Sequence, residues 1–225
     1  MTNAQGAYRV VVVNAGISDP SSTKLLADRI ERGVSKLAAT RGRDVVSTHI
    51  DLRMLLPELP AALGSQSFGP QFERAIAALR DADGIIAAAP VYKAGPSGLF
   101  TSFFQTLDND LLIAKPVVLA ATAGTARHAL VVDEQMRSMF AYLRTMTVPT
   151  SLFASTEDWQ DAGLGSRIER ASVELLALME AGVEQTIRGD NWGGYQHELG
   201  SAGGTELGIE LNSDLMRMAA GGGAA

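Results

Sequence analysis

The stretch YRVVVVNAGISDPSSTKLLADRI, residues 8–30, decides the fold, because it joins an apolar run to an amphipathic run through a turn rich in hydroxyl groups. Its β-branched residues 8–13 predict a strand that ends where the turn begins at Asn14. Over residues 22–40 apolar side chains recur at helical spacing, and Gly42 follows as a left-handed cap. A strand joined to a helix by one turn is the repeating unit of an α/β domain.

Four further strands are predicted from their apolar patterns. Residues 83–89 and 116–121 are unbroken apolar runs, which are typical of strands covered on both faces. Residues 43–52 alternate as an edge strand does. Residues 148–154 contain Pro149, which suits a strand at the opposite edge. Central and edge strands are therefore distinguishable in the sequence.

Helices are predicted in the intervals between these strands, at 71–80, 97–107, 128–144 and 163–187. Five strands alternating with five helices predict an α/β fold with a doubly wound five-stranded parallel sheet. Edge strands at the second and fifth positions give the order 2-1-3-4-5, the flavodoxin-like arrangement. Ligands bind such sheets at the carboxyl ends of the strands, so sites are expected after Val13, Ala89 and Ala121.

The composition limits the classes of protein to consider. The chain has 225 residues, a net charge of -6 and no cysteine, and it fits one domain over residues 1–188. The acidic balance argues against nucleic acid as a partner, and the lack of cysteine excludes disulfides and thiolate chemistry. No apolar stretch is long enough for a membrane and no signal peptide is evident, so we expect a cytoplasmic protein. The Gly- and Ala-rich residues 189–225 are predicted to form a tail that is either mobile or docks a partner.

The first turn carries four hydroxyl groups within six residues: Ser18, Ser21, Ser22 and Thr23. A helix N-terminus directs unpaired N–H groups and a partial positive charge outward, so this turn is suited to a phosphate group. The alternative is that Ser21 or Ser22 only caps the helix. The turn has neither the P-loop pattern of nucleoside triphosphate sites nor the Gly-rich pattern of dinucleotide sites, which favours a monophosphate.

The second turn is PVYKAGPSG, residues 90–98. The ring of Tyr92 and the pliable backbone at Gly95 and Gly98 suit a flat, polar heteroaromatic ring, and Lys93 is placed to stabilise negative charge on a reduced flavin. The alternative is an ordinary loop with a solvated lysine.

The third turn is TAGTARH, residues 122–128, whose small residues leave backbone N–H groups free to approach a ring. His128 either hydrogen-bonds a flavin or nicotinamide, or it has a structural or exposed role. The other histidines, His49 and His197, fall in a strand and in the tail. No metal cluster or hydrolytic triad is therefore predicted.

Together, these turns resemble the NAD(P)H-dependent FMN reductases of flavodoxin-like fold, particularly the flavin reductases that serve two-component monooxygenases. PVYKAGPSGLFTSFFQTLD, residues 90–108, is similar to the P-V-Y-K-A-x-x-S-G-x-x-K-x-x-L-D segment of alkanesulfonate-linked reductases. Residues 115–145, beginning KPVVLAATAGTARH, are similar to their K-x-V-x-x-x-A-T-G-G-T-x-x-H segment. Residues 14–30 are similar to the phosphate loop of reductases partnered with luciferase-like monooxygenases. Three positions depart from the family patterns: Thr101 replaces a Lys, Ala123 a Gly and Glu134 a Tyr.

The resemblance implies non-covalent FMN and a nicotinamide cofactor, NAD(P)H, as hydride donor. It implies that the phosphate is held by Ser18, Ser21, Ser22 and Thr23. It implies that the ring and ribityl chain contact Pro90, Val91, Tyr92, Lys93 and Ala94. The other edge of the ring is expected at Thr122, Ala123, Gly124 and Thr125. Hydride transfer needs proximity and electrostatics, so no acid–base residue is nominated and Lys93 is the electrostatic candidate.

The resemblance also implies a homodimer or tetramer, in which the apolar residues of one helix, Leu99, Phe100, Phe103 and Phe104, serve both the core and the interface. Three functions stay open. The first is a reductase that supplies reduced FMN to a flavin-dependent monooxygenase. The second is a quinone, azo-dye or metal-ion reductase that retains its flavin, and the third is a non-enzymatic electron carrier.

Overall fold

A computed structural model describes residues 6–189 and shows a sheet with helices on both faces. The first half of the chain contains β1 (Tyr8–Asn14), α1 (Ser22–Thr40), β2 (Val45–Asp51), α2 (Leu59–Ser65), α3 (Pro70–Asp81) and β3 (Gly84–Tyr92). The second half contains β4 (Gly95–Pro96), α4 (Gly98–Gln105), β5 (Pro116–Thr122), α5 (Arg137–Tyr142), β6 (Met146–Thr147), β7 (Leu152–Ala154), α6 (Ala162–Glu180) and α7 (Val183–Ile187). Apart from Gly189, the predicted tail 189–225 lies outside the described residues.

The sheet confirms the predicted α/β parallel fold, but the expected count of five strands is wrong. The order is β2-β1-β3-β5-β6, and β7 also pairs with β5, parallel to it. Two short additions explain the seven strands. Pro149 lacks an N–H group and lies in the gap between β6, which precedes the predicted strand 148–154, and β7, which forms the end of that range. Gly95–Pro96 folds back antiparallel onto the end of β3.

The helices agree with the sequence where caps are strong. α1 covers the predicted residues 22–40, and Gly42 has a φ of 70° as expected of a left-handed cap. The predicted number of five helices is too small. The sequence did not predict α2, and the predicted last helix is divided into α6 and α7. Gly182, with a φ of 59°, separates α6 from α7. In place of one helix over 128–144, the structure has a 3₁₀ turn at Ala126–His128, a π-helical turn at Val132–Met136 and then α5.

Apolar side chains fill both faces of the sheet. One face packs against α1 and α6, and the other packs against α3, α4 and α5. The phenylalanines of α4 lie wholly in the second core, where Phe100 is 0% exposed, which confirms their predicted core role. Of the four predicted residues, half-buried Leu99 remains available for an interface. The phenylalanine rings of α4 pack in tilted contacts with Phe72 and Phe140, and burial of each contributes about 1.5–3 kcal/mol. Among residues 6–189, no helix is long and apolar enough to cross a membrane.

The amino ends of β3 and β5 are joined by a buried lysine. Lys115 is 2% exposed, and its Nζ donates to the carbonyl oxygens of Arg80 at 2.7 Å and Ala82 at 2.6 Å. It also pairs with Glu184 of α7 at 2.8 Å. Burial lowers the pKa of Lys115, and the hydrogen bond to Glu184 offsets part of that shift. This lysine therefore ties α7 to the amino end of the sheet.

Candidate functional site

The three predicted turns come together at the carboxyl end of the sheet. They follow β1, β3 and β5, which are neighbours, with Asn14 level with Ala88 and Pro90 level with Thr122. A direct contact joins the first turn to the third, because the hydroxyl oxygens of Thr23 and Thr122 lie 2.7 Å apart in a buried hydrogen bond. The structure thus assembles the predicted region as one continuous edge.

The first turn is locked by its own side chains. Buried Asn14 accepts a hydrogen bond from the Gly16 N–H at 3.0 Å, and Ser21 accepts one from the Lys24 N–H at 3.2 Å. Ser21 is therefore the N-cap of α1, as the alternative interpretation predicted. A Cβ at Gly16 would lie 2.0 Å from the Ser21 oxygen, so only glycine fits there. The Asn-x-Gly spacing was the overlooked sequence signal for this turn.

The exposed side of the first turn offers hydrogen-bond donors. Among residues 6–189, the backbone N–H groups of Ser18, Ser22 and Thr23 have no hydrogen-bond partner. The side chains of Ser18 and Ser22 are exposed, whereas Thr23 is buried and its hydroxyl is already paired. Neutral N–H and hydroxyl donors at the N-terminus of a 19-residue helix form a set that is chemically suited to a phosphate group.

The second turn is a short hairpin at the tip of β3. Burial decreases along it, from buried Pro90 through half-buried Val91 to Tyr92, which is 48% exposed. Lys93 and Ala94 form the exposed corner, with φ values of 52° and 64°. Positive φ at both central residues is the pattern of type I′ turns, and it costs non-glycine residues about 1 kcal/mol or more each.

The third turn presents open backbone. The Ala123 N–H donates to the Ala154 carbonyl at 3.1 Å, and Thr156 donates to the Gly124 carbonyl at 3.3 Å. The N–H groups of Gly124 and Thr125 have no partner within the described part of the chain. A Cβ at Gly124 would meet nothing within 4 Å, so a ligand can approach this backbone closely.

The carboxylate of Asp158, which was not predicted from the sequence, stabilises the chain that follows β7, next to the third turn. Asp158 accepts hydrogen bonds from the backbone N–H of Ser155 at 2.7 Å and its hydroxyl at 2.6 Å, and it pairs with Arg167 at 2.9 Å. The Ser155 hydroxyl, followed by its backbone N–H, holds the pKa of Asp158 below its usual range. A Ser-x-x-Asp spacing after a strand is its sequence signal.

Gln135 is a second missed residue. Its Nε2 donates to the Ala94 carbonyl oxygen at 2.7 Å. Contacts that depend on tertiary packing leave no local pattern in the sequence. His128, by contrast, was predicted and lies half-buried at the end of the 3₁₀ turn Ala126–His128, without a hydrogen bond or ion pair to any residue of 6–189. In the same range, no group of three or more His, Cys, Asp or Glu side chains is arranged to hold a metal ion.

A surface cavity of about 640 Å³ lies elsewhere. Its lining includes Phe68, Arg80, Asp110 and Arg188, next to the α7 end of the molecule. Fold geometry places ligands at the carboxyl ends of the strands instead. We therefore take the three turns as the candidate active site.

Comparison with known proteins gives the family of the chain. The model of the NADPH-dependent FMN reductase family matches residues 8–160. The NADH-dependent FMN reductase SfnF of Pseudomonas fluorescens is 35% identical over 170 residues, which are 75% of this chain and 88% of that protein. An FMN reductase (NADPH) of Pseudomonas aeruginosa is 32% identical over 170 residues, 76% of this chain and 89% of that protein.

Solved structures share the fold of the chain. An oxidoreductase from Corynebacterium diphtheriae superposes with a TM-score of 0.76 and 39% identity, covering 79% of this chain and 99% of that one. A flavodoxin, WrbA-like protein from Agrobacterium tumefaciens shares the fold, with a TM-score of 0.55 and 17% identity, over 78% of this chain and 99% of that one. The chain therefore belongs to the NADPH-dependent FMN reductase family and is an oxidoreductase that uses NAD(P)H and FMN.

Proposed function

We propose that this reductase binds FMN as an exchangeable substrate at the three turns and supplies the reduced flavin to a flavin-dependent monooxygenase. The observation that carries the proposal is the convergence of the three turns, joined by the Thr23–Thr122 hydrogen bond, at one exposed edge. The resemblance of these turns to reductases of two-component monooxygenases supports the same role. Membership in a reductase family makes the electron-carrier hypothesis wrong.

The phosphate end of FMN fits the first turn. Ser18 and Ser22 offer exposed hydroxyls, and Ser22 and Thr23 offer backbone N–H groups without partners among residues 6–189. The Ser21 hydroxyl accepts a hydrogen bond from the Lys24 N–H, and the Thr23 hydroxyl is paired with Thr122, so both side chains shape the turn. Accepting a hydrogen bond leaves the O–H of Ser21 as a donor, which adds to the proposed phosphate contacts.

The ring end of FMN fits the second and third turns. When bound, FMN supplies the flat ring that takes a hydride from NAD(P)H. Tyr92 offers an exposed aromatic surface, and the N–H groups of Gly124 and Thr125 offer donors to polar ring atoms. Lys93 has no ion-pair partner among residues 6–189, so its charge is available to stabilise negative charge that develops on the ring.

The exposure of the predicted contacts favours exchange over retention of the flavin. Tyr92, Lys93, Ala94, Gly124 and Thr125 are all exposed in the described chain. A ligand on such an edge leaves more readily than one enclosed by the fold. A flavin-retaining quinone, azo-dye or metal-ion reductase is the alternative that the following measurements test.

Flavin titration tests the phosphate site. The full-length protein is titrated with FMN, FAD and riboflavin, and FMN is expected to bind most tightly. The double variant Ser18→Ala/Ser22→Ala should weaken FMN binding roughly tenfold and leave riboflavin binding unchanged. Ser67→Ala, an exposed serine outside the three turns, is the control. Equal affinity for riboflavin and FMN would remove the phosphate site.

Steady-state kinetics test the fate of the flavin. NADH and NADPH oxidation is expected to saturate with added FMN and to require it. Turnover of quinone by protein that remains yellow, without added FMN, would establish the alternative. Lys93→Ala should lower the reduction rate about tenfold while changing FMN affinity less, with Lys36→Ala of α1 as the matched control. An unchanged rate would remove Lys93 from the reaction.

The remaining expectations complete the proposal. We place the enzyme in the cytoplasm, which is a reducing compartment. The 225-residue chain has no cysteine, so its fold does not depend on disulfide bonds that such a compartment would reduce. We also propose a homodimer or tetramer, as the family resemblance implies. Light scattering of the purified protein measures that assembly, and a monomeric mass at micromolar concentration would contradict it.

A further inference from the structure

The corner of the second turn has little support of its own. β4 contains two residues and pairs with β3 through Val91 with Pro96 and Tyr92 with Gly95, and the Ser97 N–H donates to the Pro90 carbonyl at 2.9 Å. Pro96 has no N–H group to donate to the ladder. The corner residues Lys93 and Ala94 are both non-glycine residues with positive φ. Such a short hairpin with a strained corner requires support from outside.

The outside support is Gln135, in the π-helical turn Val132–Met136. Its Nε2 lies 2.7 Å from the carbonyl oxygen of Ala94. A carbonyl oxygen only accepts hydrogen bonds, so the amide nitrogen of Gln135 must face it. The backbone carbonyl oxygen of Gln135 accepts a separate hydrogen bond from the Ser138 hydroxyl at 2.9 Å, within the same helical segment.

Gly95 is shaped to this contact. A Cβ at Gly95 would lie 2.9 Å from the Gln135 Oε1, a distance that would force the amide to move. The φ of Gly95 is not positive, because the positive-φ glycines in residues 6–189 are Gly42 and Gly182. The absence of a side chain at Gly95 therefore serves the approach of Gln135 and not the backbone conformation of the turn.

We propose that Gln135 is a positioning residue, which holds the Lys93–Ala94 corner in its binding conformation before flavin arrives. The inference rests on the proposed function, which places the ring of FMN against this turn. Preorganisation lowers the ordering entropy lost on binding, so its loss weakens affinity. Once FMN is bound, its own contacts hold the corner. Loss of Gln135 therefore raises the Kd and KM for FMN and changes kcat little.

The experiment compares four variants of the full-length protein by FMN fluorescence titration and steady-state kinetics. Gln135→Ala and Gln135→Glu remove the donor and are expected to raise the Kd for FMN roughly tenfold, the worth of one hydrogen bond. Gln135→Lys restores a donor and should bind within about twofold of the wild type. Glu134→Gln changes the charge by the same amount as Gln135→Lys. Its side chain has no hydrogen bond or ion pair within residues 6–189, so its affinity should not change.

A double-mutant cycle tests the contact itself. Gly95→Ala should weaken FMN binding, by less than Gln135→Ala does, because the new Cβ would force the flexible amide of Gln135 to shift. In the Gln135→Ala background it should add little, since the displaced group is already gone. Full additivity of the two changes would show that they act separately and would overturn the proposal.

The remaining outcomes are equally decisive. Wild-type affinity in Gln135→Ala, together with weakened binding in Ser18→Ala/Ser22→Ala, would overturn the role of Gln135 and leave the proposed function standing. Wild-type affinity in both would overturn the FMN site and the inference with it. Equal loss in Gln135→Lys and Gln135→Ala would show that the donor is not the cause. Far-UV circular dichroism confirms that each variant is folded.

Discussion

The two ends of the parallel sheet are held together by different kinds of contact. At the amino end, the buried ammonium of Lys115 joins the chain before β3, the start of β5 and α7 through three short contacts. At the carboxyl end, exposed turns are connected by hydrogen bonds between neutral groups, such as Thr23 with Thr122 and Gln135 with Ala94. The amino end is closed, in that its polar groups are buried and paired, and the carboxyl end is open, in that it exposes backbone N–H groups without partners among residues 6–189.

The difference separates stability from binding. A closed, charged contact contributes to the free energy of unfolding and leaves no donor for a ligand. An open edge keeps unpaired N–H groups, and these cost stability unless water or a ligand takes them up. Changes at the amino end should therefore lower stability with little effect on FMN affinity. Substitutions at the carboxyl end should lower FMN affinity, and the more exposed the substituted residue is, the less they should lower stability.

The largest effect is expected for Lys115→Met. The change removes the buried charge and leaves two carbonyl oxygens and Glu184 without it, so the free energy of unfolding should fall by about 3–5 kcal/mol. Chemical denaturation measures the loss. Lys24→Met is the control, because Lys24 pairs with Asp28 at the surface and is 54% exposed, and its loss should cost under about 1 kcal/mol. Equal losses of unfolding free energy in the two variants would contradict a special role of the amino end in stability.

Gly16→Ala should give the next largest effect, at the most enclosed part of the carboxyl end. The new Cβ would overlap the Ser21 oxygen and press on Asn14, which disrupts the cap of α1. We expect a loss of about 2–3 kcal/mol in unfolding free energy, together with weaker FMN binding. Thermal unfolding and FMN titration measure the two effects. Wild-type stability would show that the first turn is looser than its contacts indicate.

Thr122→Val tests the contact between the first and third turns. It leaves the buried Thr23 hydroxyl without its partner, which should cost about 1–3 kcal/mol. The double variant Thr23→Val/Thr122→Val removes both hydroxyls and should recover most of that loss. Denaturation of the two single variants and the double variant completes the cycle. A double variant as unstable as the sum of the singles would mean that the hydroxyls do not act as a pair.

Asp158→Asn should cost about 1–2 kcal/mol at neutral pH, since the carboxylate loses charge-assisted hydrogen bonds from Ser155 and Arg167. The pKa of Asp158 is lowered in the folded protein, so its ionised form stabilises the fold above the unfolded pKa of about 3.9. That contribution is lost as the pH falls through the folded pKa. The stability gap between variant and wild type should therefore close in acid. A gap that is constant with pH would exclude ionisation as its source.

Gly124→Ala should have the smallest effect on stability, under about 0.5 kcal/mol, because its Cβ would point into open space. If the ring of FMN lies against this turn, the same methyl group should weaken FMN binding several-fold. The variant is thus the counterpart of Lys115→Met. Unchanged affinity for FMN would place the ring away from Gly124.

The sequence predicted those features that local chemistry determines. The serine cap and Gly42 defined α1, and the apolar runs defined the central strands and hence the edge that carries the turns. It did not predict α2, which is seven residues long and follows closely on a 3₁₀ turn. Short elements depend on tertiary packing more than on propensity.

The supporting contacts of the site were missed for a related reason. Gln135 meets Ala94 across 41 positions of the chain, and Lys115 meets Arg80 across 35. Nothing near either residue in the sequence signals its partner. A lysine before a proline is usually read as a solvated loop residue, yet here it is 2% exposed.

The contact between Lys115 and Glu184 also fixes how the enzyme can be attached to a surface. It holds α7 at the amino end of the sheet, and β5 of seven residues separates that end from the third turn by roughly 20 Å. A resin or electrode coupled near α7 therefore contacts the amino end of the sheet, opposite the three turns. The turns proposed to carry FMN then face the solution, where nicotinamide and a flavin acceptor can reach them.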